Sequence, residues 1–511
     1  MSDKIGVIGM EVMGKNLARN IAGHGRNPAT EGFAVVAYNR TTSKTEEFIK
    51  EMAGEPEGRN ITMATTIEEL VQAVGKTGIY WLMVKALGPN EKDAVDIFIE
   101  QLTPLLSPGA IIIDGGNSFF KKTIARGKAL EEKGIMYIGT GVSGGEEGAL
   151  KGPAIMPGGK REAYDRIAPI LNAISAKAPQ DSEPCVSYIG PHGAGHYVKM
   201  VHNGIEYGDM GLIGEAVSIM KALLGWDSPR IGREMAKWNE PGDVLQSYLI
   251  QITADGLQQE AKGRALVDYT GDVTRMKGTG LWTCDSANEL LVPVPTIYAA
   301  VMSRMMSEAK DLRLALQKKI TKPSTVHRTK AASLVADIHD ALYTAKISSY
   351  AQGIALLEKA SATYGFGLDI GQIARGWRGG CIIRAQFLDD IAKAYAGKRP
   401  ENLVAAPLFT KAVNAGLAKL ARVTALAHQA GLPVPVMDAS LNYLMQLATG
   451  VLVGASVNAQ QRDYFGAHGY YKIDAKGRLL KTAKGTIREF HTEWMLPNRP
   501  EKEITKEGAN E

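Results

Sequence analysis

The amino-acid sequence predicts an N-terminal Rossmann-like α/β domain with a doubly wound, mostly parallel sheet, followed by a large all-α domain and a C-terminal tail. Between Lys4 and Ile138, short apolar strand signals alternate with amphipathic helical stretches, which is typical of a parallel sheet covered by helices. From about Gly195 onward, strand signals fade and long helical patterns dominate. A chain of 511 residues is also too long for a single hydrophobic core. We therefore expect domains at residues 1–192 and 193–448, and the tail at 449–511.

Periodicity places the individual elements. The predicted strands are the apolar runs Lys4–Ile8, Ala34–Tyr38, Ile79–Val84, Ala110–Asp114 and Met136–Ile138. Helices are predicted near 43–52, 92–103 and 120–133, and residues 23–32 are predicted to form a surface insertion. In the second domain, helices are predicted at Glu206–Leu224, Ala331–Leu357, Ile382–Ala396 and Leu403–Gln429, and a loop at Gln460–His468.

Composition limits the class of protein. Apolar residues make up 45% and charged residues 22%, which is ordinary for a soluble globular chain. The formal net charge of +5 is small for this length and does not indicate a nucleic-acid-binding protein. The three cysteines are far apart without CxxC spacing, which favours reduced thiols over a disulfide or a metal site. No leader and no membrane-spanning apolar stretch is recognisable, so we expect a cytoplasmic protein that binds neither nucleic acid nor membrane.

A glycine fingerprint follows the first strand, in the order Gly9, Met10, Glu11, Val12, Met13, Gly14. Gly9 permits a tight turn and Gly14 allows close helix packing, so that amides at the helix start face a pyrophosphate. Glu11 stands where the second glycine is expected, and its carboxylate would crowd and repel that pyrophosphate. Either the side chain turns into solvent or dinucleotide binding is altered. Because strands and helices alternate throughout the domain, we favour dinucleotide binding over a purely structural turn.

Polar residues follow several strand ends, where ligands bind in such sheets. Asn39, Arg40 and Thr41 close the second strand without an acidic residue, which suits the 2′-phosphate of NADP better than the ribose of NAD, although a charged loop also explains Arg40. Further strand ends or loops carry Val84, Lys85, Ala86, Asn117, Ser143, Gly144 and Gly145. The glycine-rich loop at 141–148 suits a carboxylate or phosphate, and a structural turn explains it almost as well.

One predicted helix concentrates polar chemistry on a single face. At about 100° per residue, a sector of roughly 140° contains Lys199, His202, Asn203, Glu206 and Tyr207. Lys199 and Glu206 are two turns apart, about 10 Å, so they could flank a small molecule as base and acid. A solvated charged helix edge is the alternative. Elsewhere Lys277, Arg304, Arg462 and His468 are candidate anion ligands, though singly each is more typical of a surface charge.

Taken together, the sequence resembles the decarboxylating 6-phosphogluconate dehydrogenases from Gly6 to about Trp494. The most specific matching segments are Asp114–Ser118, Val142–Gly148, Lys199–Tyr207, Lys277–Gly280, Trp377–Arg384 and Gln461–His468. The resemblance implies oxidation of 6-phospho-D-gluconate to ribulose 5-phosphate, CO2 and NADPH in the pentose phosphate pathway and gluconate utilisation, without a metal. It also implies a homodimer in which the tail crosses into the partner's site.

The same resemblance assigns roles to residues of this chain. Lys199 would be the general base and Glu206 the acid. The sugar acid would contact Asn117, Ser143, Gly144, Gly145, His202 and Asn203. The phosphate would be held by Tyr207, Lys277 and Arg304, with Arg462 and His468 from the partner subunit. The NADP side would be formed by the fingerprint Gly9–Gly14 together with Asn39, Arg40, Thr41, Val84, Lys85, Ala86 and Asn117.

The chain departs from the family pattern mainly in the cofactor domain. The departures are Glu11 in the fingerprint, the loop at 87–90, Phe120 and Lys122 for Tyr and Asp, Ala154 for Ser, and Gly211 for Gln. Two alternatives to the active decarboxylase therefore stay open: a dehydrogenase for a smaller, unphosphorylated β-hydroxyacid, and a binding or regulatory homologue with impaired cofactor use because of Glu11.

Overall fold

The computed structural model of the chain describes residues 4–24, 33–88, 90–323 and 332–504. Contacts between Cα atoms divide the chain into two units, Met1–Leu441 and Asn442–Glu511. Among the residues described, no helix is both long enough and apolar enough to span a membrane.

The first unit contains a seven-stranded sheet of order β3-β2-β1-β4-β5-β6-β7, parallel except for β7, which runs antiparallel to β6. The strands are β1 Lys4–Ile8, β2 Ala34–Tyr38, β3 Ile61–Met63, β4 Ile79–Leu82, β5 Ile111–Asp114, β6 Met136–Val142 and β7 Ile155–Gly159. The helices between and after them are α1 Val12–His24, α2 Thr42–Met52, α3 Ile67–Val74, α4 Ala94–Leu102, α5 Phe120–Glu131, α6 Gly145–Lys151 and α7 Arg161–Ile174. The predicted doubly wound fold is confirmed.

The sheet is buried on both faces because successive strand residues point to opposite sides. Val35 packs in one cluster with Leu17 of α1, whereas Val36 packs in the other with Leu70 of α3. Burial of such a side chain contributes about 1.5–3 kcal/mol. Strand order reverses between β1 and β4, so their carboxyl ends border a crevice, the usual ligand site of this fold.

The rest of the chain is almost entirely helical. Its helices are α8 Ala194–Ile219, α9 Ser228–Lys237, α10 Tyr248–Gln258, α11 Thr279–Glu289, α12 Pro295–Glu308, α13 Lys310–Leu316, α14 Ala332–Tyr364, α15 Ile370–Gly376, α16 Leu388–Ala394, α17 Pro407–Gln429, α18 Pro435–Leu447 and α19 Val453–Gly466. A π-helical turn follows α8 at Met220–Leu224, and 3-10 turns lie at Pro56–Asn60, Thr103–Leu105, Leu266–Asp268 and Leu403–Ala405. Short strands are β8 Glu260–Ala261, β9 Arg264–Ala265, β10 Tyr470–Tyr471, β11 Glu489–Thr492 and β12 Glu501–Ile504.

Several predicted boundaries were wrong. The helix predicted at Ile382–Ala396 begins only at Leu388, because backbone groups just before it bond across to another segment: Tyr248 N donates to Arg384 O, and Gln386 N donates to Gln246 O. The predicted loop at Gln460–His468 is helical as far as Gly466. This helix is polar and exposed around most of its circumference, so it lacks the apolar stripe by which helices are recognised.

Other predicted bounds lie close to the observed ones, and some predictions concern residues that the structure does not describe. Helix Glu206–Leu224 is the second half of a longer helix that begins at Ala194, and the helix predicted to end at Leu357 extends to Tyr364. Helix Leu403–Gln429 starts with a 3-10 turn, and Pro407 opens the α-helix proper. Most of the predicted insertion, residues 25–32, and the last seven residues of the chain lie outside the described residues.

Candidate active site

Helix α8 carries the predicted polar face and is buried over most of its length. It packs against β6 and β7 of the sheet and against α11, α12 and α14 of the helical region. Lys199, His202 and Tyr207 of this face are buried and lie in a low-dielectric environment, whereas Asn203 and Glu206 are partly exposed. The solvated helix edge considered as an alternative is therefore ruled out for this face.

Lys199 is the most deeply placed amine of this face, with 5% of its surface exposed. Gly141 on β6 makes room for it, because a Cβ at position 141 would overlap the Lys199 Cβ. The Lys199 Nζ lies 3.4 Å from His202 Nδ1. Burial lowers the pKa of the Lys199 amine below its ordinary value, against the opposing charges of Glu206 and Cys381. A neutral amine is thus available at a lower pH than for a free lysine.

His202 lies at the centre of the polar cluster and is fully buried. Its Nε2 is 2.7 Å from Cys381 Sγ and 3.4 Å from Ser143 Oγ, and its Nδ1 is 3.0 Å from Asn203 Oδ1. Burial, and then the charge of Lys199, lowers the pKa of His202 well below its ordinary value. The imidazole is therefore neutral, and these contacts fix the orientation of its ring.

Glu206 lies near the same imidazole. Its Oε2 is 3.9 Å from His202 Nδ1. Its side chain keeps 21% exposure, so it borders open space. Burial raises the pKa of Glu206 above its ordinary value, while the charges of Lys199 and Arg304 oppose that shift. Lys199 and Glu206 thus both lie near His202 Nδ1, a buried amine with a lowered pKa and a carboxyl that holds its proton more tightly than a free one.

Cations gather on the Glu206 side of the helix. The Arg304 guanidinium of α12 stacks over the Tyr207 ring, with Cζ 3.5 Å from the ring centroid. Lys277, just before α11, is close enough for its charge to lower the pKa of Glu206. From the same segment, the Thr279 hydroxyl accepts a hydrogen bond of 3.0 Å from Asn203 Nδ2. Among the described residues of the first unit, an anionic group beside Tyr207 would meet two positive side chains.

The loop that carries Ser143, Gly144 and Gly145 connects β6 to α6 and lies against the Trp377–Arg384 segment. Trp377 stacks edge-on to His202 at 5.6 Å between ring centroids. Sequence analysis singled out this segment as a motif but gave it no role, and it missed Cys381 as a partner of His202. The two residues are 179 positions apart, so no local spacing could reveal the contact.

The fingerprint turn closes against neighbouring strands. Gly9 has φ of +105°, and a Cβ there would lie 2.5 Å from Met83 O, so only glycine fits this turn. Met10 N donates to Asn39 Oδ1 at 3.0 Å, and Asn39 Nδ2 donates to Thr41 O at 3.1 Å. Asn39 thereby ties the end of β2 to the start of α1. Glu11 and Val12 are exposed, Met13 is half-buried, and Gly14 is buried at the turn.

The ends of β4 and β5 complete this crevice. Val84, Lys85 and Ala86 follow β4, with Val84 beside the Gly9 turn and Lys85 exposed. Asn117 follows β5 with φ of +55°, and its buried Oδ1 has no hydrogen-bond partner among the described residues. An unpartnered buried acceptor needs a donor, which a bound amide-bearing cofactor would supply. The residues present therefore fit a nicotinamide dinucleotide.

A buried charge network holds the Asn117 turn in place. Asp114 accepts hydrogen bonds of 2.7 Å from both Tyr137 OH and Ser118 Oγ, and one of 2.9 Å from Gly116 N. Arg126 lies behind these groups and pairs with Asp93 at 2.7 Å. Burial of an ion pair is tolerated only when its remaining polar groups are also bonded, as they are here.

Two of the departures from the family pattern, Lys122 and the loop at 87–90, lie together in the structure. Lys122 Nζ pairs with Asp93 at 3.0 Å and also donates to Glu91 O, so it anchors the loop that leads away from the Val84–Ala86 strand end. Leu87 N donates to the same Asp93 carboxylate. Within the unusual stretch at 87–90, residue 89 lies outside the described residues. The lysine and the altered loop are thus parts of one local structure.

Arg462 and His468 belong to the second unit, where both are exposed. Between them, Asp463 is fully buried and accepts bonds from Gly469 N, Thr492 N and Trp494 Nε1 at 2.9, 3.0 and 2.8 Å. Its Oδ1 is also 2.8 Å from His491 Nδ1. These bonds to Asp463 fix the end of α19, and Arg462 and His468 stay exposed on either side of it in the sequence.

Similarity to known proteins covers nearly the whole chain. Residues 4–190 match the NAD binding domain of 6-phosphogluconate dehydrogenase, and residues 195–494 match the C-terminal domain of the same enzyme. In the described part of the chain, no group of three or more His, Cys, Asp or Glu is placed to hold a metal ion.

Curated relatives and a solved structure agree with these domain matches. A decarboxylating 6-phosphogluconate dehydrogenase of Synechococcus elongatus is 45% identical, with 96% of this chain and 99% of the relative covered. An NADP(+)-dependent decarboxylating 6-phosphogluconate dehydrogenase of Bacillus subtilis is 46% identical over the same shares. The Plasmodium falciparum 6-phosphogluconate dehydrogenase, solved in apo form and with NADP+ or 6-phosphogluconate, has TM-score 0.84 and 39% identity, covering 94% of this chain and 100% of that one.

We predict that Lys199→Met stabilises the protein at neutral pH. The unfolded amine keeps its proton up to an ordinary lysine pKa, whereas the folded amine releases it at lower pH, so Lys199 lowers stability most below its folded pKa. Removing it should raise the free energy of unfolding by about 0.5–2 kcal/mol at pH 7, and less as the pH approaches 10.

Urea denaturation at pH 7 and pH 9.5 measures this difference. Exposed Lys133 provides the matched control, and Lys133→Met should change neither value appreciably. A Lys199→Met protein that is less stable than wild type by the same amount at both pH values would contradict the desolvated amine.

Proposed function

The chain belongs to the 6-phosphogluconate dehydrogenase family, and on this premise we propose how its own residues carry out the family's reaction. It oxidises and decarboxylates 6-phospho-D-gluconate to D-ribulose 5-phosphate and CO2, with reduction of NADP to NADPH. This reaction belongs to the oxidative pentose phosphate pathway and to gluconate utilisation. The observation that carries our assignment of residues is the polar face of α8, on which Lys199 Nζ lies 3.4 Å and Glu206 Oε2 3.9 Å from His202 Nδ1.

Lys199 is the general base in this proposal. Oxidation to the ketone removes a hydride from the carbon that bears the β-hydroxyl and a proton from that hydroxyl, and bound NADP would supply the hydride acceptor. The lowered pKa of Lys199 makes its neutral amine able to take that proton. Once protonated, the same ammonium stabilises the negative charge that develops on the ketone oxygen as CO2 leaves. Neutral His202 keeps the amine in position.

Glu206 is the general acid. Loss of CO2 leaves an enediol that must be protonated at carbon, and a carboxyl with a raised pKa holds the required proton near neutral pH. Its partial exposure places it at the border of the site, where the substrate carbon chain would pass. The base and the acid need opposite protonation states, and burial favours both by lowering the pKa of Lys199 and raising that of Glu206.

The remaining assignments follow the charge of the substrate. We assign the phosphate to Tyr207, Lys277 and Arg304, because the two cations and the phenol lie on the Glu206 side. Ser143, Gly144, Gly145, His202, Asn203 and Asn117 would contact the sugar acid. Arg40 and Thr41 would receive the 2′-phosphate of NADP, with the Gly9–Gly14 turn at the pyrophosphate and Val84, Lys85, Ala86 and Asn117 along the nicotinamide side.

We also propose a homodimer in which the partner subunit completes each site. Exposed apolar side chains recur on α12 and α13 of the first unit, among them Met302, Met306 and Leu312. The second unit exposes Val453 and Phe465 on α19. We assign these exposed apolar side chains to a subunit interface, because burial of apolar surface favours association. Arg462 and His468, exposed beside that surface, would then meet the substrate phosphate of the partner.

The alternatives considered from sequence find less support. An unphosphorylated substrate would leave Lys277 and Arg304 without an anion. Glu11 suggested a binding-only homologue, because its carboxylate would repel the pyrophosphate. That carboxylate instead forms an ion pair with Lys44 at the protein surface. We place the enzyme in the cytoplasm because its three cysteines are buried free thiols, typical of a reducing compartment.

Lys199→Met should reduce kcat about 10²–10⁴-fold, the usual contribution of a general base, while the Kd for 6-phosphogluconate changes little. NADPH formation followed at 340 nm and calorimetric titration of the sugar acid measure the two effects. In the wild type, kcat/KM should fall as pH drops below the lowered pKa of Lys199. Wild-type turnover in Lys199→Met would refute the base assignment.

Arg304→Met should raise the KM for 6-phosphogluconate about 10–100-fold, because a charge-assisted bond is worth about 1.5–3 kcal/mol. The preference for 6-phosphogluconate over unphosphorylated gluconate should fall in the same variant. Arg233→Met, at an exposed arginine of α9, serves as the control. An unchanged KM in Arg304→Met would favour the smaller-substrate alternative.

A mixed dimer tests the partner contribution. A heterodimer of Lys199→Met and Arg462→Ala chains holds one intact site only if Arg462 acts across the interface. It should then recover about half of wild-type activity, whereas each homodimer is impaired. Affinity tags of two kinds allow the heterodimer to be purified. No recovery above the homodimers would show that Arg462 acts within its own chain or not at all.

A further inference from the structure

Glu11 is the residue of the fingerprint that the proposed function does not use. It directly precedes α1, and its side chain is 70% exposed. Its carboxylate forms an ion pair with Lys44, the third residue of α2. The carboxylate is therefore held across the gap between the starts of α1 and α2, and its charge is balanced by one specific ammonium.

Lys44 lies in the segment that the proposed function assigns to the 2′-phosphate. Helix α2 begins at Thr42, immediately after Arg40 and Thr41, and Lys44 N donates to Thr41 O at 3.1 Å. Lys44 thus belongs to the first turn of α2, and Arg40 lies four residues earlier, just before the helix. Arg40 makes no hydrogen bond or ion pair among the described residues, whereas Lys44 is occupied by Glu11.

From this arrangement we infer that Glu11 is a specificity-determining residue that weakens the preference for NADP over NAD. It withdraws Lys44 from the 2′-phosphate and adds a negative charge next to Arg40. The inference rests on the proposed NADP-linked function. It concerns the one group that distinguishes the two dinucleotides, since NAD carries a hydroxyl where NADP carries the phosphate.

The size of the effect is bounded by exposure. Lys44 is 41% exposed, so the Glu11–Lys44 pair is screened by water and salt and can open at low cost. A doubly charged phosphate would compete with a single carboxylate for Lys44. We therefore expect a change of several-fold in cofactor selectivity, and not a loss of binding.

The test compares Glu11→Gln, Lys44→Met and the double variant with the wild type. Calorimetric titration of the full-length protein gives the Kd for NADP and for NAD, without turnover. Glu11→Gln should lower the Kd for NADP about fivefold and leave that for NAD within twofold. Lys44→Met should raise the Kd for NADP more in the Glu11→Gln background than in the wild type. The difference between the Kd values of Glu11→Gln and the wild type for NADP should shrink in 0.5 M salt.

Glu51→Gln is the matched control. Lys15 of α1 and Glu51 of α2 form an ion pair of 2.8 Å between the same two helices, and its removal should leave the ratio of the two Kd values unchanged. An unchanged ratio in Glu11→Gln would overturn the inference. So would an equal gain for both cofactors, since that would place the repulsion at the shared pyrophosphate. A wild type that binds neither dinucleotide would instead refute the proposed function.

Discussion

Desolvation of one helix face is the constraint on which this site depends. Helix α8 places Lys199 and His202 where water is excluded, and both then favour their neutral forms. In water the lysine would be an ammonium and could not accept a proton. The surrounding strands and helices therefore set the protonation of Lys199, because removing their cover would return the amine to its ordinary pKa.

The same region shows how polar groups survive burial. Close to Lys199, His202 contacts Cys381, Ser143 and Asn203, so both ring nitrogens have neighbours. Deeper along α8, Asp209 pairs with Lys346 at 2.6 Å, and both side chains are almost fully buried. The charge of Asp209 also raises the pKa of Glu206. A buried pair roughly three turns from Lys199 thus contributes to the raised pKa of Glu206.

The cofactor crevice depends on a different constraint, the closeness of backbones at the ends of parallel strands. Gly9 turns directly against Met83, and Asn39 bonds to the amide of Met10. These contacts fix the backbone conformation of the turn, and the carboxylate at position 11 points outward into solvent. Its pairing with Lys44 follows from that geometry, and it places an additional charge beside the segment that we propose for the 2′-phosphate.

The sequence alone determined the fold class, five of the seven sheet strands and the face of α8, because periodicity and turn residues act over a few neighbouring positions. The strands Ile61–Met63 and Ile155–Gly159 and the strand order were not predicted. Strand Ala34–Tyr38 was predicted with its observed bounds. Where a segment's backbone bonds to a distant one, as at 382–387, local reasoning failed. Only the tertiary structure joined Cys381 to His202 and Glu11 to Lys44, and only it set the burial that shifts Lys199 and Glu206. Burial and long-range contact depend on the whole packed chain, and no short stretch of sequence contains them.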